Sequence, residues 1–253
     1  MADNVTMPAE LVALLAAFGD TPPTALTSCP GWTAHHIAAH IGGNYEEVRQ
    51  HVEAFAQGRP LERTRGWEER EQPLRELDYA TLLRRVEKQA VATAAVVVDV
   101  SAEQPNAELL WTKRMVPIAG FLTHMRSEDA LHRWDLVGDD ETSTELLGQQ
   151  DLLNHAVKFI GQPLLQRGLR ANAAKEMFTA RVRCPELDDL ILDLADEQVH
   201  LSIGHQVGEA TIEGDPAARL LLLWGRKPAP FSRLQAVGSG ASAARAQSLF
   251  AGY

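Results

Sequence analysis

Histidines at helical spacing are the residues of this sequence that most clearly suggest chemistry. His36 and His40 lie four residues apart in one segment, and Glu128 and His132 lie four apart in another. Residues four apart share one face of a helix, so each pair could reach a common ion. His124 also precedes Glu128 by four residues, but along a helix it would lie about 12 Å from His132. The spacing therefore indicates a site that combines one pair of this helix, Glu128 with either His132 or His124, and one histidine of the other helix.

Two histidines and one carboxylate from facing helices suit a zinc ion. Three protein ligands leave a fourth position for water or substrate, which is the arrangement of catalytic zinc. The spacing has a second interpretation, because an E-x-x-x-H pair is also an ordinary contact within a helix. On spacing alone, both interpretations stay open.

Four helical segments precede residue 140 and would position these side chains. Their apolar residues recur at intervals of three and four, and a four-helix bundle is the natural arrangement. Thr33 or a neighbour is the candidate N-cap of the second helix, and the polar segment 58–73 is predicted to be a loop. The predicted helices are residues 9–18, 32–55, 77–98 and 118–137.

Gly42 and Gly43 lie inside the second predicted helix. Two glycines there lower the helix propensity by about 1–2 kcal/mol. The close approach of a neighbouring helix or a ligand would explain the pair, and a simple weak point in the helix would explain it equally well.

The pattern changes after about residue 145. One more helix is predicted over residues 146–165, and short strand-like runs follow, separated by turn residues. Helices and an antiparallel sheet segregated in this way predict an α+β second domain, so the expected domains are residues 1–143 and 144–253. The predicted strands are residues 178–183, 190–194, 199–203 and 210–212, and residues 216–224 form the last predicted helix, with Asp215 as its cap.

Composition excludes several functional classes. The chain has 253 residues, with 24 Lys and Arg against 34 Asp and Glu, a formal net charge of -10. An acidic chain is poorly suited to bind nucleic acid or an anionic membrane surface. No apolar run approaches the roughly 20 residues of a membrane span.

The cysteine count and the start of the chain indicate the compartment. Cys29 and Cys184 are the two cysteines, too few for a disulfide framework. No Lys or Arg precedes Arg49, so the positive region of a signal peptide is missing. We expect a reduced, cytoplasmic protein.

Three segments, in order along the chain, resemble the mycothiol-dependent maleylpyruvate isomerase family. Thr-Ser-Cys-Pro-Gly-Trp-Thr at 27–33, followed by Ile-Ala-Ala-His-Ile at 37–41, resembles its N-terminal signature. Residues 128–135 resemble its second signature, E-x-x-x-H-x-W-D, and residues 220–226 resemble the Leu-rich helix ending in Gly-Arg of its C-terminal domain. The family belongs to the DinB-like metal-binding helical bundles. Each match is short, but together the three are specific.

The resemblance implies a divalent metal, usually zinc, on His40, Glu128 and His132. The open position would receive the sulfur of mycothiol, a sugar-bearing thiol, and a thiol that coordinates a metal is deprotonated. In the isomerase the thiolate adds to the double bond of maleylpyruvate, the new single bond rotates, and the thiol leaves to give the trans isomer. The same thiolate would serve S-transfer to another small electrophile.

Several further residues have two interpretations each. The resemblance places Arg226 near the active site as a catalytic residue that holds a carboxylate bidentately, or Arg226 caps its own helix. Asp135 orients a metal-bound histidine, or it caps the helix or pairs with an arginine. His124 is a partner of the site or a bystander, and His36 packs or hydrogen-bonds at the helix surface. Cys29 is a reactive thiol or a small buried residue.

The sequence therefore predicts a metal-dependent, thiol-using enzyme, an isomerase or S-transferase, acting as a monomer or homodimer. Its active site is expected in the cleft between the two domains. One alternative is a hydrolase that uses zinc-bound water and needs no thiol. The other is a non-catalytic binding module on a DinB-like bundle, which would hold no stoichiometric metal.

Overall fold

The structure is a computed structural model, and it describes residues 6–112, 114–171, 177–185, 187–195, 198–205, 211–226, 233–237 and 241–250. The chain divides into two compact units, Met1–Asp140 and Glu141–Tyr253. The domain boundary expected from the sequence follows residue 143, and the family type of the second domain stays a prediction. Within the described residues, no helix combines the length and apolar character that crossing a membrane requires.

The first unit is a four-helix bundle with one short extra helix and a hairpin. Helix α2 packs against α4 and α5, and α1 packs against α5. The predicted bundle is confirmed, with each helix end within five residues of its predicted position. The elements are α1 Ala9–Asp20, α2 Ala34–Ala56, α3 Trp67–Arg75, α4 Tyr79–Glu103, β1 Glu108–Trp111, β2 Arg114–Pro117 and α5 Gly120–Val137.

Caps fix the ends of the two helices that carry the histidines. The Oγ1 of Thr33 accepts a hydrogen bond from the backbone N–H of His36, and the backbone N–H of Thr33 donates to Nδ1 of His36. This reciprocal capping box begins α2 and confirms Thr33 as the N-cap. Gly138 ends α5 with a φ of 78°, a conformation that favours glycine.

Helix α3 lies where the sequence predicts a loop, so that prediction is wrong over its second half. The helix is strongly polar and includes Pro73, so its sequence lacks the apolar periodicity on which the prediction depends. Arg70, Glu71 and Leu74 are its buried residues, and it packs against α2. Tertiary contact rather than local propensity therefore holds this helix.

Gly42 and Gly43 lie in α2 where neighbouring side chains come close. A Cβ at Gly43 would lie 3.3 Å from Cγ of Arg70, and one at Gly42 would lie 3.3 Å from Cγ2 of Val86. Of the two explanations for the glycine pair, the structure favours the close approach of neighbouring helices, here α3 and α4.

The hairpin of β1 and β2 connects α4 to α5 and was not predicted from the sequence. The strands pair antiparallel from Glu108 with Pro117 to Trp111 with Arg114. The ring of Trp111 packs edge-on against Phe121 at 5.3 Å. The hairpin is thereby anchored to the first turn of α5.

The second unit combines helices with a five-stranded sheet. The sheet order is β5-β4-β3-β6-β7, antiparallel except for β3 with β6. Together the two units confirm the predicted α+β fold class. The elements are α6 Glu141–Leu147, α7 Gln150–His155, a π-helical segment Ala156–Gly161, α8 Gln162–Ala171, β3 Phe178–Arg183, β4 Asp189–Ala195, β5 Gln198–Gly204, β6 Ile212–Gly214, α9 Pro216–Leu223, β7 Leu234–Ala236 and α10 Ala241–Leu249.

Two details of the second unit differ from the prediction. The single helix expected over 146–165 is divided, because α6 ends before Gly148 and the chain passes through a π-helical segment. The last predicted strand begins at Ala210, outside the described residues, and the observed strand β6 begins at Ile212. Asp215 caps α9 as expected, accepting from the backbone N–H of Ala218 at 2.9 Å.

Candidate metal centre

Three buried side chains of the first unit converge on one point. Nε2 of His40, from α2, lies 3.5 Å from Oε2 of Glu128, and Nε2 of His132 lies 3.4 Å from the same oxygen. The ligand atoms of the three residues all lie within 4.8 Å of one another. The structure therefore brings together the three residues that the family resemblance implies as metal ligands.

The far nitrogen of each imidazole has a carboxylate beside it. Nδ1 of His40 lies 2.8 Å from Oε1 of Glu71, and Nδ1 of His132 lies 2.8 Å from Oδ2 of Asp135. A carboxylate beside Nδ1 keeps the proton there and leaves the Nε2 lone pair for a ligand. Such pairs accompany metal-binding histidines in proteins generally. Both rings thus present Nε2 toward Glu128.

Glu71 is the residue of this site that sequence reasoning missed. Its carboxylate is almost fully buried and also lies 3.8 Å from Nη1 of Arg75. It belongs to α3, in a segment that the sequence predicts to be a loop. A weak signal existed, because Trp67, Glu71 and Leu74 are spaced by four and three residues and share one helix face.

Asp135 joins His132 to the turn before α2. Sγ of Cys29 donates to Oδ2 of Asp135 at 3.2 Å, and the backbone N–H of Ser28 donates to its carbonyl oxygen at 2.8 Å. Of the roles left open from the sequence, the position beside His132 matches the orienting one. Cys29 is 5% exposed, which fits a small buried residue. Cys29, His132 and Asp135 form a second group whose ligand atoms lie within 4.8 Å of one another, and it shares His132 with the first.

The remaining candidate histidines lie beside the site or away from it. Nε2 of His124 lies 3.5 Å from Oε1 of Glu128, whereas His40 and His132 approach Oε2. Burial lowers the pKa of His124. His36 is used in the cap of α2. The amide of Asn44 lies 3.0 Å from Nε2 of His40, so this lone pair has a polar partner within the protein.

The electrostatics of the cluster favour a cation. Burial alone would raise the pKa of Glu128, but contacts with His132 and His40 and the charge of His124 hold it well below its usual value. Burial lowers the pKa of His132, and its contacts with Asp135, Cys29 and Glu128 outweigh that effect and raise it well above the usual value. The site thus holds an ionised carboxylate and attracts positive charge to the imidazole beside it. Two imidazole nitrogens and a carboxylate oxygen form a donor set that suits zinc.

Two indoles stand against the imidazoles. The ring of Trp32 stacks on His132, with centroids 6.3 Å apart and planes 14° apart, and lies 5.1 Å from the ring of His40. Trp67 meets His40 edge-on at 6.0 Å and Trp32 at 6.3 Å. Trp32 is partly exposed and Trp67 is 38% exposed. Aromatic rings therefore line one side of the ligand cluster.

Arg226 follows α9 in the second unit. Gly225, with a φ of 70°, turns the chain, and the backbone N–H of Arg226 donates to the carbonyl oxygen of Leu221 at 2.9 Å. This is a Schellman end of a helix. Nη1 of Arg226 donates to the carbonyl oxygen of Trp224 at 3.3 Å, a contact that matches the capping interpretation. The binding of a carboxylate by Arg226 stays a prediction.

The chain shares its fold with solved structures. One is described as a crystal structure of the mycothiol-dependent maleylpyruvate isomerase, and a second is a point mutant of that isomerase. For each, the TM-score is 0.61 and the sequence identity 16%, and the match covers 86% of this chain and 85% of that one. A search of curated proteins gives no match.

The sequence model of one family, described as the mycothiol maleylpyruvate isomerase N-terminal domain, matches residues 7–137. This span is more than half of the 253 residues and includes His40, Glu128 and His132. The chain therefore belongs to the mycothiol maleylpyruvate isomerase N-terminal domain family.

Proposed function

We propose that this protein is a metal-dependent enzyme that uses mycothiol to isomerise a cis double bond in a small electrophile, or to conjugate the thiol through its sulfur to one. Family membership supports the use of the thiol. The observation that carries the proposal is the convergence of Nε2 of His40, Nε2 of His132 and Oε2 of Glu128 at one buried point. Maleylpyruvate, named for the related solved enzyme, is the first substrate to test.

His40, Glu128 and His132 are the residues that would hold the ion, and zinc is the ion that this donor set suits. When bound, a divalent ion lowers the pKa of a thiol, so that the cosubstrate reacts as a thiolate at neutral pH. Glu71 would accept a hydrogen bond from Nδ1 of His40, and the carboxylate of Asp135 lies 2.8 Å from Nδ1 of His132. Both carboxylates favour the tautomer that presents Nε2. Their negative charge also increases the basicity of the two imidazoles.

The surroundings of the cluster would increase the reactivity of a thiolate bound there. The ring of Trp32 lies beside both imidazoles and would limit the access of water to them. A less hydrated thiolate is a better nucleophile, because electrostatic interactions strengthen as water is excluded. Burial of His40, Glu128 and His132, each less than 8% exposed, acts in the same direction.

The isomerisation would return the thiol unchanged. The thiolate adds to one carbon of the cis double bond, and the electron pair moves to the conjugated carbonyl. The bond between the two carbons is then single and rotates, and expulsion of the thiolate restores the double bond in the trans form. Arg226 is proposed to hold a carboxylate of the substrate during this rotation, through the bidentate geometry of its guanidinium.

The test is an isomerisation assay on maleylpyruvate and a panel of activated cis-dicarboxylates and electrophiles. We expect turnover to require both mycothiol and a divalent metal, and to stop when a chelator is added. Turnover that persists without thiol would instead support hydrolysis by zinc-bound water. A protein that holds no stoichiometric metal and turns over no substrate would support the binding module.

A further inference from the structure

Helix α3 directs two side chains at His40. Trp67 and Glu71 lie four residues apart on one helix face, with Oε1 of Glu71 2.8 Å from Nδ1 of His40 and the Trp67 ring 6.0 Å from the His40 ring. Glu71 is buried, whereas Trp67 is 38% exposed. The same short helix therefore orients a candidate ligand and holds a partly exposed indole at the rim of the site.

The chemistry of that rim selects against anions. The face of an aromatic ring carries partial negative charge, which repels a carboxylate and attracts C–H groups and cations. The two residues after Trp67, Glu68 and Glu69, are exposed and pair with Arg75 and Arg63, so they add no net positive charge that would attract an anion. A small dicarboxylate is thus poorly suited to this surface, whereas a neutral ring rich in C–H groups is well suited to it.

We propose that Trp67 is a specificity-determining residue that packs against a sugar ring of the thiol cosubstrate while the sulfur reaches the ligand cluster. This inference rests on the proposed function, because it assumes a sugar-bearing thiol. The contact distinguishes mycothiol from small thiols that lack sugars. Trp32 supports the rim indole by meeting it edge-on at 6.3 Å.

The experiment measures the dissociation constants of two thiols by calorimetry on zinc-loaded protein. Mycothiol carries sugar rings, and N-acetylcysteine is the probe without them. For Trp67→Ala we expect mycothiol to bind about five- to tenfold more weakly, with a change of less than about twofold for N-acetylcysteine. Trp67→Phe keeps an aromatic face and should recover most of the loss. Trp111→Phe, a buried indole in the hairpin, is the matched control and should bind both thiols as the wild type does.

The outcomes separate this inference from the proposed function. If wild-type protein binds neither thiol, the proposed function is contradicted. If mycothiol binds and Trp67→Ala leaves its affinity unchanged, or weakens both thiols equally, only the role of Trp67 is overturned. If the alanine variant loses its metal, the mycothiol affinities of Trp67→Leu and Trp67→Phe are compared instead. Both side chains fill space, but only phenylalanine has an aromatic face. Equal affinities of these two variants for mycothiol overturn the inference, and weaker binding by the leucine variant alone supports it.

Discussion

Oε1 of Glu71 lies 2.8 Å from Nδ1 of His40, although 31 residues separate the two in sequence. The contact ties the short helix α3 to the long helix α2. It gives His40 the same kind of partner that Asp135 gives His132. Both imidazoles of the proposed metal site are therefore oriented by carboxylates from outside the ligand set.

Glu71→Gln should weaken metal binding without removing it. The amide oxygen can still accept from Nδ1, but the negative charge that raises the basicity of His40 is lost. Changes of such partners lower metal affinity about 10–100-fold. Competition with a coloured chelator measures the affinity. Glu76→Gln, an exposed acid at the end of the same helix, is the matched control and should leave it unchanged. Equal affinities for the Glu71 variant and the control would refute the orienting role.

His132→Ala and Asp135→Asn should differ in degree. The first removes one of three ligands, and we expect the protein to lose its metal while circular dichroism shows the same helical content. The second should retain metal with an affinity about 10–100-fold lower. Metal analysis of the purified variants is the measurement. Negligible effects from both changes would favour an ordinary contact within the helix.

Metal removal should lower thermal stability. A ligand that binds the native state alone stabilises it by mass action, and the proposed ion joins α2 to α5. We expect the melting temperature of wild-type protein to fall on chelation. His132→Ala, which has no ion to lose, should melt at the same temperature with and without chelator. An unchanged melting temperature of the wild type would contradict the site.

Asp129, next to Glu128, gives a pH-dependent prediction. It is fully buried and accepts a hydrogen bond from the hydroxyl of Tyr45 at 2.6 Å. Burial raises the pKa of Asp129 from 3.8 to about 8, with the charges of Glu128 and Glu10 acting in the same direction. Between these values the folded protein holds a proton that the unfolded chain has released. The free energy of unfolding therefore falls as the pH rises between these two values, by about 1.4 kcal/mol per pH unit.

Asp129→Asn removes this titration, because the amide is neutral at every pH. In metal-free protein, we expect the stability of the variant relative to wild type to increase steadily from pH 5 to pH 8. Denaturant unfolding at several pH values measures it. Asp99 is an exposed acid on α4, so the stability of Asp99→Asn relative to wild type should be the same at every pH. A constant difference for Asp129→Asn as well would show that the buried acid is ionised throughout.

Arg226→Ala should keep the metal and the fold but lower thiol-dependent turnover at least about tenfold, which is about 1.4 kcal/mol of transition-state stabilisation. Arg226→Lys should recover only part of the lost turnover, because an ammonium group cannot form the two parallel hydrogen bonds that a guanidinium forms with a carboxylate. Steady-state kinetics with maleylpyruvate and mycothiol is the measurement. Normal turnover by the alanine variant would leave Arg226 as a helix cap.

The bundle could be predicted because its four helices have clear apolar periodicity and recognisable ends. Thr33 before α2 and Gly138 after α5 fix those helices. The helix period also places Glu128 one turn from both His124 and His132, but it does not choose between these two histidines, and the resemblance was needed for that choice. His40 had to be assigned through the resemblance, since spacing alone does not choose between the histidines of α2.

Helix α3 could not be predicted, because its stability depends on contacts with α2 rather than on its own sequence. Pro73 and the charged residues around it are typical of a loop. Glu71 is buried there, in contact with His40, and its spacing from Trp67 and Leu74 is the one weak signal that separates it from the exposed Glu68 and Glu69. The sequence therefore contains only a weak indication of the part of the site that orients His40 and lines its rim.

Zinc K-edge X-ray absorption on zinc-loaded protein, with and without mycothiol, tests the central claim most directly. That claim is that His40, Glu128 and His132 hold a divalent ion that accepts the thiol. Without thiol we predict about one zinc per chain with nitrogen and oxygen neighbours at about 2.0–2.2 Å and no sulfur. With mycothiol, one sulfur neighbour should appear at about 2.3 Å. Sulfur neighbours before the thiol is added, or none afterwards, would contradict the account.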